Sequence, residues 1–287
     1  MALRAGIIGH PIAHSLSPVF QQAAFKHAGL DISYESWDTT SANLQRRVES
    51  LRESGTLGAN VTIPYKEAVV SMLDELGGLS ARLGAANTIV NRDGRLHGYN
   101  TDGPGFVAAL KNELDFDPLG AGILLLGAGG AARGIAFALA EAESGALTVW
   151  NRTAPRAEKL ARDVEAASGF PVSTDADLNA LARYDCIVNC TSVGMEGTGT
   201  ELEAACDLSS ARRGAIAVDI VYKPAETPFL RDAFNHGMRT LPGLPMLVHQ
   251  GALAFEHWTG VSAPVDIMSK AAEDALKAES ADRGERP

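Results

Sequence analysis

The amino-acid sequence predicts an α/β protein of two domains, and three observations carry the prediction. Apolar strand-like runs alternate with amphipathic helical segments along most of the chain, the pattern of helices packed on sheets of parallel strands. The 287 residues suit two modest cores better than one large one. At residues 123–132 an apolar strand, a glycine-rich turn and a helix-forming stretch follow directly on one another. That succession marks the second domain as Rossmann-type and doubly wound, and the first as a separate α/β unit.

Taken in order, strand-like pieces lie at 4–8, 33–37, 57–63 and 85–90. A helix over 17–27 stops at Gly29, a residue suited to the position just past a helix end. Arg92-Asp93-Gly94, set between extended stretches at 88–91 and 95–99, reads as a hairpin turn. The second block opens after Asp117-Pro118-Leu119-Gly120, with strands at 122–126 and 146–150 and later ones at 185–189 and 215–220. Apolar helices follow over 244–259 and 266–278, and residues 279–287 read as a polar, frayed tail. No internal repeat or low-complexity tract interrupts the pattern.

Composition excludes several classes of function. Net charge is −10, from 35 acids against 25 bases. That balance argues against nucleic acid or an anionic membrane as partner, since both demand clustered Lys and Arg. No apolar run approaches the ~20 residues of a membrane span, and residues 1–9 run straight into strand-like sequence without a signal pattern. The expected location is cytoplasmic. The cysteines, Cys186, Cys190 and Cys206, form no disulfide framework. Cys186 and Cys190 lie in what reads as a buried strand with no second ligand pair nearby, so no metal site is predicted.

Within the glycine turn, Gly127 permits the tight bend and Gly129 lets backbone approach a pyrophosphate. Ala132 keeps the third position small for helix–strand packing. Gly127, Ala128, Gly129, Gly130 and Ala131 then present helix-start amides to the phosphates. The end of the next strand selects the cofactor. An NAD site places Asp or Glu there to bond the ribose 2′-hydroxyl. This chain has Asn151-Arg152-Thr153, 24 residues beyond Gly127. An acid would repel a 2′-phosphate, whereas Arg152 pairs with one, worth roughly 1.5–3 kcal/mol. NADP is the predicted cofactor; the plainer reading of Arg152 is a solvated surface side chain.

Four polar clusters stand out in the first 102 residues. In Ser15-Leu16-Ser17-Pro18, Ser17 suits a helix N-cap and Pro18 the first helical position, and hydroxyls at a helix start also cradle a carboxylate. In Asn60-Val61-Thr62-Ile63-Pro64-Tyr65-Lys66, strand alternation puts Asn60 and Thr62 on one face and Val61 and Ile63 on the other. Lys66 follows beyond the strand end, where ligands gather in an open parallel sheet, although a lone lysine at a helix start is ordinarily just solvated. Asn87 opens the next strand. Asn100-Thr101-Asp102-Gly103 closes the hairpin before another helix, which Asp102 is also placed to cap. Together they supply the hydroxyl, amide and ammonium groups that a polyhydroxylated carboxylate requires. The histidines, His10, His14, His97 and His249 among them, read as structural or incidental.

These stretches, with Ala86-Asn87-Thr88 and Met246-Leu247-Val248-His249-Gln250, make seven motifs in order and together resemble the shikimate dehydrogenase family. The resemblance covers nearly the whole chain. It implies a substrate domain formed by 1–102 plus 240–287 and an NADP-binding domain over 103–239. It also implies reversible NADPH-dependent reduction of 3-dehydroshikimate to shikimate, in aromatic amino-acid biosynthesis. Ser15 and Ser17 would hold the substrate carboxylate. Asn60, Thr62, Asn87, Tyr222 and Gln250 would hold ring hydroxyls, with Lys66 and Asp102 flanking the reacting position. Thr191 and Ser192 would lie near the cofactor, and Ile220 and Gly243 near its nicotinamide end. One departure is Gly243-Leu244-Pro245-Met246, where the family often has Gly-Leu-Gly before Met-Leu; Pro245 fits a helix's first turn.

A positioned acid–base group contributes ~10²–10⁴-fold. Lys66 is the expected proton carrier, with Asp102 orienting it and the hydroxyl, although sequence alone leaves the assignment within the pair open. The rivals are a quinate or dual-substrate dehydrogenase and a catalytically idle ligand sensor. The oligomeric state is left open, a homodimer included.

Overall fold

The structure, a computed structural model, describes residues 3–195 and 206–282. The chain divides into two compact units. One comprises the residues up to Thr101 together with those from Val248 onward, the other Asp102–Leu247.

In the first unit β1 (Leu3–Gly9) leads through α1 (Ser17–His27) to β2 (Ile32–Asp38), and through α2 (Leu44–Ser50) to β3 (Thr56–Val61). The short β4 (Glu75–Leu76) and α3 (Leu79–Leu83) precede the hairpin β5 (Thr88–Arg92) and β6 (Arg95–Tyr99). The sheet order is β2-β1-β3-β5-β6-β4. Its β1–β2, β1–β3 and β4–β6 pairs are parallel, but β3–β5 and β5–β6 are antiparallel. The expectation of parallel strands is therefore corrected here to a mixed sheet. Asp93 and Gly94 take φ of 52° and 86°, the left-handed pair that a tight hairpin turn requires, and they reverse the chain on itself.

Strands β3 and β5 approach very closely at Gly58, whose φ is 148° and whose missing side chain would strike the Ile89 carbonyl. That carbonyl also accepts a hydrogen bond from Trp258 Nε1 at 2.9 Å. Ile8, Val61, Ile89 and Leu96 close a dry core beneath.

The second unit begins with α4 (Asp102–Leu114), followed by β7 (Gly122–Leu126), α5 (Gly130–Glu141), β8 (Ala146–Trp150), α6 (Ala154–Ser168) and β9 (Val172–Ser173). The other half is β10 (Cys186–Asn189), β11 (Ile216–Asp219), α7 (Pro228–Asn235) and β12 (Arg239–Leu241). All strands are parallel, in the order β12-β11-β10-β7-β8-β9. This is a doubly wound sheet whose order reverses between β7 and β10, the point where such sheets bind ligands. Leu124, Leu125, Leu126, Ile187 and Ala217 are fully buried, the two-sided burial that a continuous apolar strand predicts. Cys186 and Cys190 lie in this core, and burial pushes both thiols up.

The chain ends with α8 (Gly243–Thr259) and α9 (Val265–Asp282). Pro245 falls in the first turn of α8, where its missing N–H has no helical partner to lose. Helix α9 continues past residue 278 to Asp282, so residues 279–282, expected to be frayed, are helical, and the rest of that tail lies outside the described residues. Ser280 Oγ donates back to the Leu276 carbonyl at 3.1 Å within that last turn. No helix among the described residues is long and apolar enough to cross a membrane.

Candidate active site

In the first unit the polar residues singled out above converge at the mouth of α1 and the carboxyl end of β3. Ser17 is the first residue of α1, but the N-cap is Leu16, and no side chain caps the helix. The capping expectation for Ser17 is thus corrected: Leu16 is already helical, at φ −81° and ψ −12°. Ser15 Oγ instead accepts the Ser17 N–H at 3.3 Å. The Ser17 side chain is buried beside the Tyr34 hydroxyl.

Tyr34 continues the network. Its hydroxyl donates to Asn60 Oδ1 at 2.7 Å, while Asn60 Nδ2 donates to the Asn87 carbonyl at 3.3 Å and to Thr88 Oγ1 at 3.2 Å. Asn87 Nδ2 reaches Thr101 Oγ1 at 3.0 Å and Gln250 Oε1 at 3.3 Å, and Asn87 Oδ1 accepts the Thr101 N–H at 2.8 Å. Ser17, Asn60, Asn87 and Gln250 are all buried, and Asn60, Asn87 and Gln250 belong to one connected chain of hydrogen bonds with Tyr34, Thr88 and Thr101. Burial holds the Tyr34 phenol well above its ordinary range, so it stays a neutral donor.

Tyr34, Thr88 and Thr101 are the residues that sequence reasoning missed. Thr88 and Thr101 stood inside noted motifs. Tyr34 carried no signal, because a tyrosine in an alternating strand reads as ordinary core.

Thr62 and Lys66 are half-buried in the turn after β3. Strand pairing stops at Val61, so alternation stops there too. Val61 is buried, whereas Ile63 is 75% exposed, which corrects the expectation that they share a face. Lys66 stands in a turn, not at a helix start. The Lys66 carbonyl accepts the Ala86 N–H at 2.8 Å, and the Val61 N–H reaches the Asn87 carbonyl at 2.7 Å. These bonds zip the lysine turn to the entrance of β5. Outside this network His10 Nδ1 pairs with Asp38 at 2.8 Å on the surface, and His249 is buried.

In the second unit Asp102 occupies the first turn of α4, where the helix N-terminus favours a carboxylate. The glycine turn follows β7. Gly127 has φ 113°, and a Cβ there would stand 2.9 Å from Thr191 Cγ2; its N–H donates to the Trp150 carbonyl at 2.7 Å. The turn is thereby tied to the end of β8, where Asn151, Arg152 and Thr153 follow. Asn151 Nδ2 donates to the Thr153 carbonyl at 3.0 Å, and Arg152 and Thr153 are exposed.

Gly129 caps α5 without any side-chain bond, and a Cβ on Gly129 or Gly130 would meet nothing within 4 Å. Open space over uncapped helix amides fits a dinucleotide pyrophosphate. Ala128 and Ala131 are half-buried at the rim.

Across the order reversal, Thr191 follows β10 with its N–H and hydroxyl bonded to Asn189 Oδ1 at 3.0 and 2.7 Å. Ser192 beside it is exposed. Ile220 and Tyr222, both half-buried, follow β11. Gly243 packs against this turn: its N–H bonds the Val221 carbonyl at 3.1 Å, and any side chain would strike the Ile220 carbonyl. The structure thus gathers Gly127, Thr191, Ile220, Tyr222 and Gly243 at one end of one sheet.

Comparison with known proteins agrees with this layout. Residues 7–89 match the shikimate dehydrogenase substrate binding domain, residues 111–222 the shikimate / quinate 5-dehydrogenase domain, and residues 243–273 the shikimate 5′-dehydrogenase C-terminal domain. A shikimate dehydrogenase (NADP(+)) of Symbiobacterium thermophilum is 45% identical over 279 residues, covering 95% of this chain and 94% of the relative. Shikimate 5-dehydrogenase of Thermus thermophilus, solved with NADP(H) and shikimate, superposes with a TM-score of 0.83 at 41% identity, covering 95% of this chain and 99% of its own. The quinate dehydrogenase of Corynebacterium glutamicum, solved with NAD, gives a TM-score of 0.86 at 30% identity, covering 95% and 99%. The chain belongs to the shikimate dehydrogenase family.

Proposed function

We propose that the chain is an NADP-dependent oxidoreductase that interconverts 3-dehydroshikimate and shikimate, in the aromatic amino-acid pathway of the cytoplasm. The observation that carries this reading is the combination, in one chain, of the buried amide–hydroxyl network of the first unit with the glycine turn and Arg152 of the second. The relatives named as NADP(+)-linked shikimate dehydrogenases support it. Substrate binding is assigned to residues 1–102 with 240–287, and cofactor binding to 103–239.

The cofactor, when bound, supplies the hydride. This chain's own residues hold and orient. Ser15 and Ser17 take the substrate carboxylate; Asn60, Thr62, Asn87, Tyr222 and Gln250 take the ring hydroxyls. Because Asn60 and Asn87 are already braced by neighbours, their orientation is set before substrate arrives. Lys66, as an ammonium, donates the proton that the carbonyl oxygen gains on reduction, and as the resulting neutral amine it accepts the hydroxyl proton in reverse. Asp102 orients the reacting hydroxyl. Gly127, Ala128, Gly129, Gly130 and Ala131 face the pyrophosphate; Asn151, Arg152 and Thr153 take the 2′-phosphate end; Thr191, Ser192, Ile220 and Gly243 line the nicotinamide end.

The likeness to an NAD-bound quinate dehydrogenase keeps quinate as the second reading. Absorbance at the reduced-nicotinamide band, with shikimate or quinate offered with NADP+ or NAD+, separates them. The expected result is signal with shikimate and NADP+; signal chiefly with quinate overturns the Ser15–Ser17 argument, and signal chiefly with NAD+ overturns the Arg152 argument.

A further inference from the structure

Asp219 ends β11 with its side chain completely shielded from solvent, and no role above uses it. Its Oδ1 accepts from Asn189 Nδ2 at 3.1 Å and from the Val221 N–H at 3.0 Å, and its Oδ2 accepts the Thr227 hydroxyl at 2.7 Å. Thr227 Oγ1 in turn caps α7 by accepting the Leu230 N–H at 3.3 Å. Asn189 accepts from Thr191 through its Oδ1 and also donates to the Val193 carbonyl at 3.1 Å. Both carboxyl oxygens are therefore acceptors, the arrangement that suits a carboxylate. Three stretches close on this one group: the turn after β10, the turn after β11 and the start of α7.

We infer that Asp219 is a positioning residue for the nicotinamide end of the cofactor site, setting where Thr191 and the Ile220–Val221 turn stand. The inference rests on the NADP reading above. With Gly127 and Arg152 fixing the adenosine end over β7 and β8, a dinucleotide lying across the order reversal extends its other end over β10 and β11. Asp219 is buried beneath those turns and acts through Asn189, Val221 and Thr227. Burial pushes its carboxyl above the ordinary range despite these donors. A desolvated charge of this kind is poor at adding stability and effective at holding one geometry.

The test is calorimetric titration of the full chain with NADP+ and, separately, with adenosine 2′,5′-bisphosphate, which occupies the adenosine end alone. Asp219→Asn should weaken NADP+ about 10- to 100-fold, the range for one lost charged hydrogen bond, and leave the bisphosphate unchanged. Thr227→Val should show the same split in smaller measure. Equal weakening of both ligands, or of neither, overturns the assignment. If Asp219→Asn does not fold, Thr227→Val decides on the same criterion. A wild-type chain that binds neither ligand overturns the cofactor reading and this inference with it, so the two failures are told apart.

Discussion

Replacing Tyr34 with Phe deletes one oxygen from the middle of the first unit's network and leaves the packing intact. The ring fills the same space, so no cavity term arises. What disappears is the 2.7 Å donor to Asn60 Oδ1. A buried acceptor stripped of its donor costs about 1–3 kcal/mol, and a loss of about 1.4 kcal/mol in the aim of these side chains corresponds to about tenfold in affinity. The assay is steady-state kinetics at saturating NADP+, with NADP+ affinity as the control. The KM for shikimate should rise on the order of tenfold while NADP+ binding stays constant.

A second readout follows from the raised phenol. The folded chain holds that proton more tightly than the unfolded one, so Tyr34 leaves stability unchanged below about pH 10 and lowers it as pH rises beyond. Tyr34→Phe should remove this part of the alkaline decline. A variant with wild-type KM for shikimate and an unaltered alkaline limb refutes the claim that Tyr34 braces the site.

Lys66→Ala should lower turnover by ~10²–10⁴-fold and change shikimate affinity far less; equal losses in both would remove Lys66 from the proton-transfer role. Arg152→Asp should weaken NADP+ by about 10- to 100-fold and improve NAD+, read as the ratio of kcat/KM for the two cofactors. An unchanged ratio would make Arg152 a bystander. Gly127→Ala places a side chain at φ 113° and 2.9 Å from Thr191 Cγ2. The conformation alone costs about 1–2 kcal/mol, so thermal unfolding should shift downward and NADP+ binding should fail, and tight binding by this variant would contradict the turn geometry.

Much of this molecule was legible along the chain because its signals are local. The period of apolar residues marked α1, β7, β8 and α8 close to their observed limits. The Asp93-Gly94 pair announced its hairpin, and the glycine turn announced its cofactor through residues adjacent in sequence. Composition placed Cys186 in a buried strand. The misreadings sit where a local rule is overruled from afar. Ser17 has the chemistry of a cap, yet it is buried beside Tyr34, which arrives from a neighbouring strand. Ile63 has the chemistry of a core residue, yet pairing has ended before it.

What tertiary structure alone decided is the wiring of the polar residues. Asn87 meets Gln250 across 163 positions, Asn60 meets Tyr34 across 26, and Asp219 meets Asn189 across 30. A hydrogen bond forms only between groups brought within about 3 Å in a fixed orientation. Residue type states that a group can donate or accept, and only the folded path of the backbone states to whom.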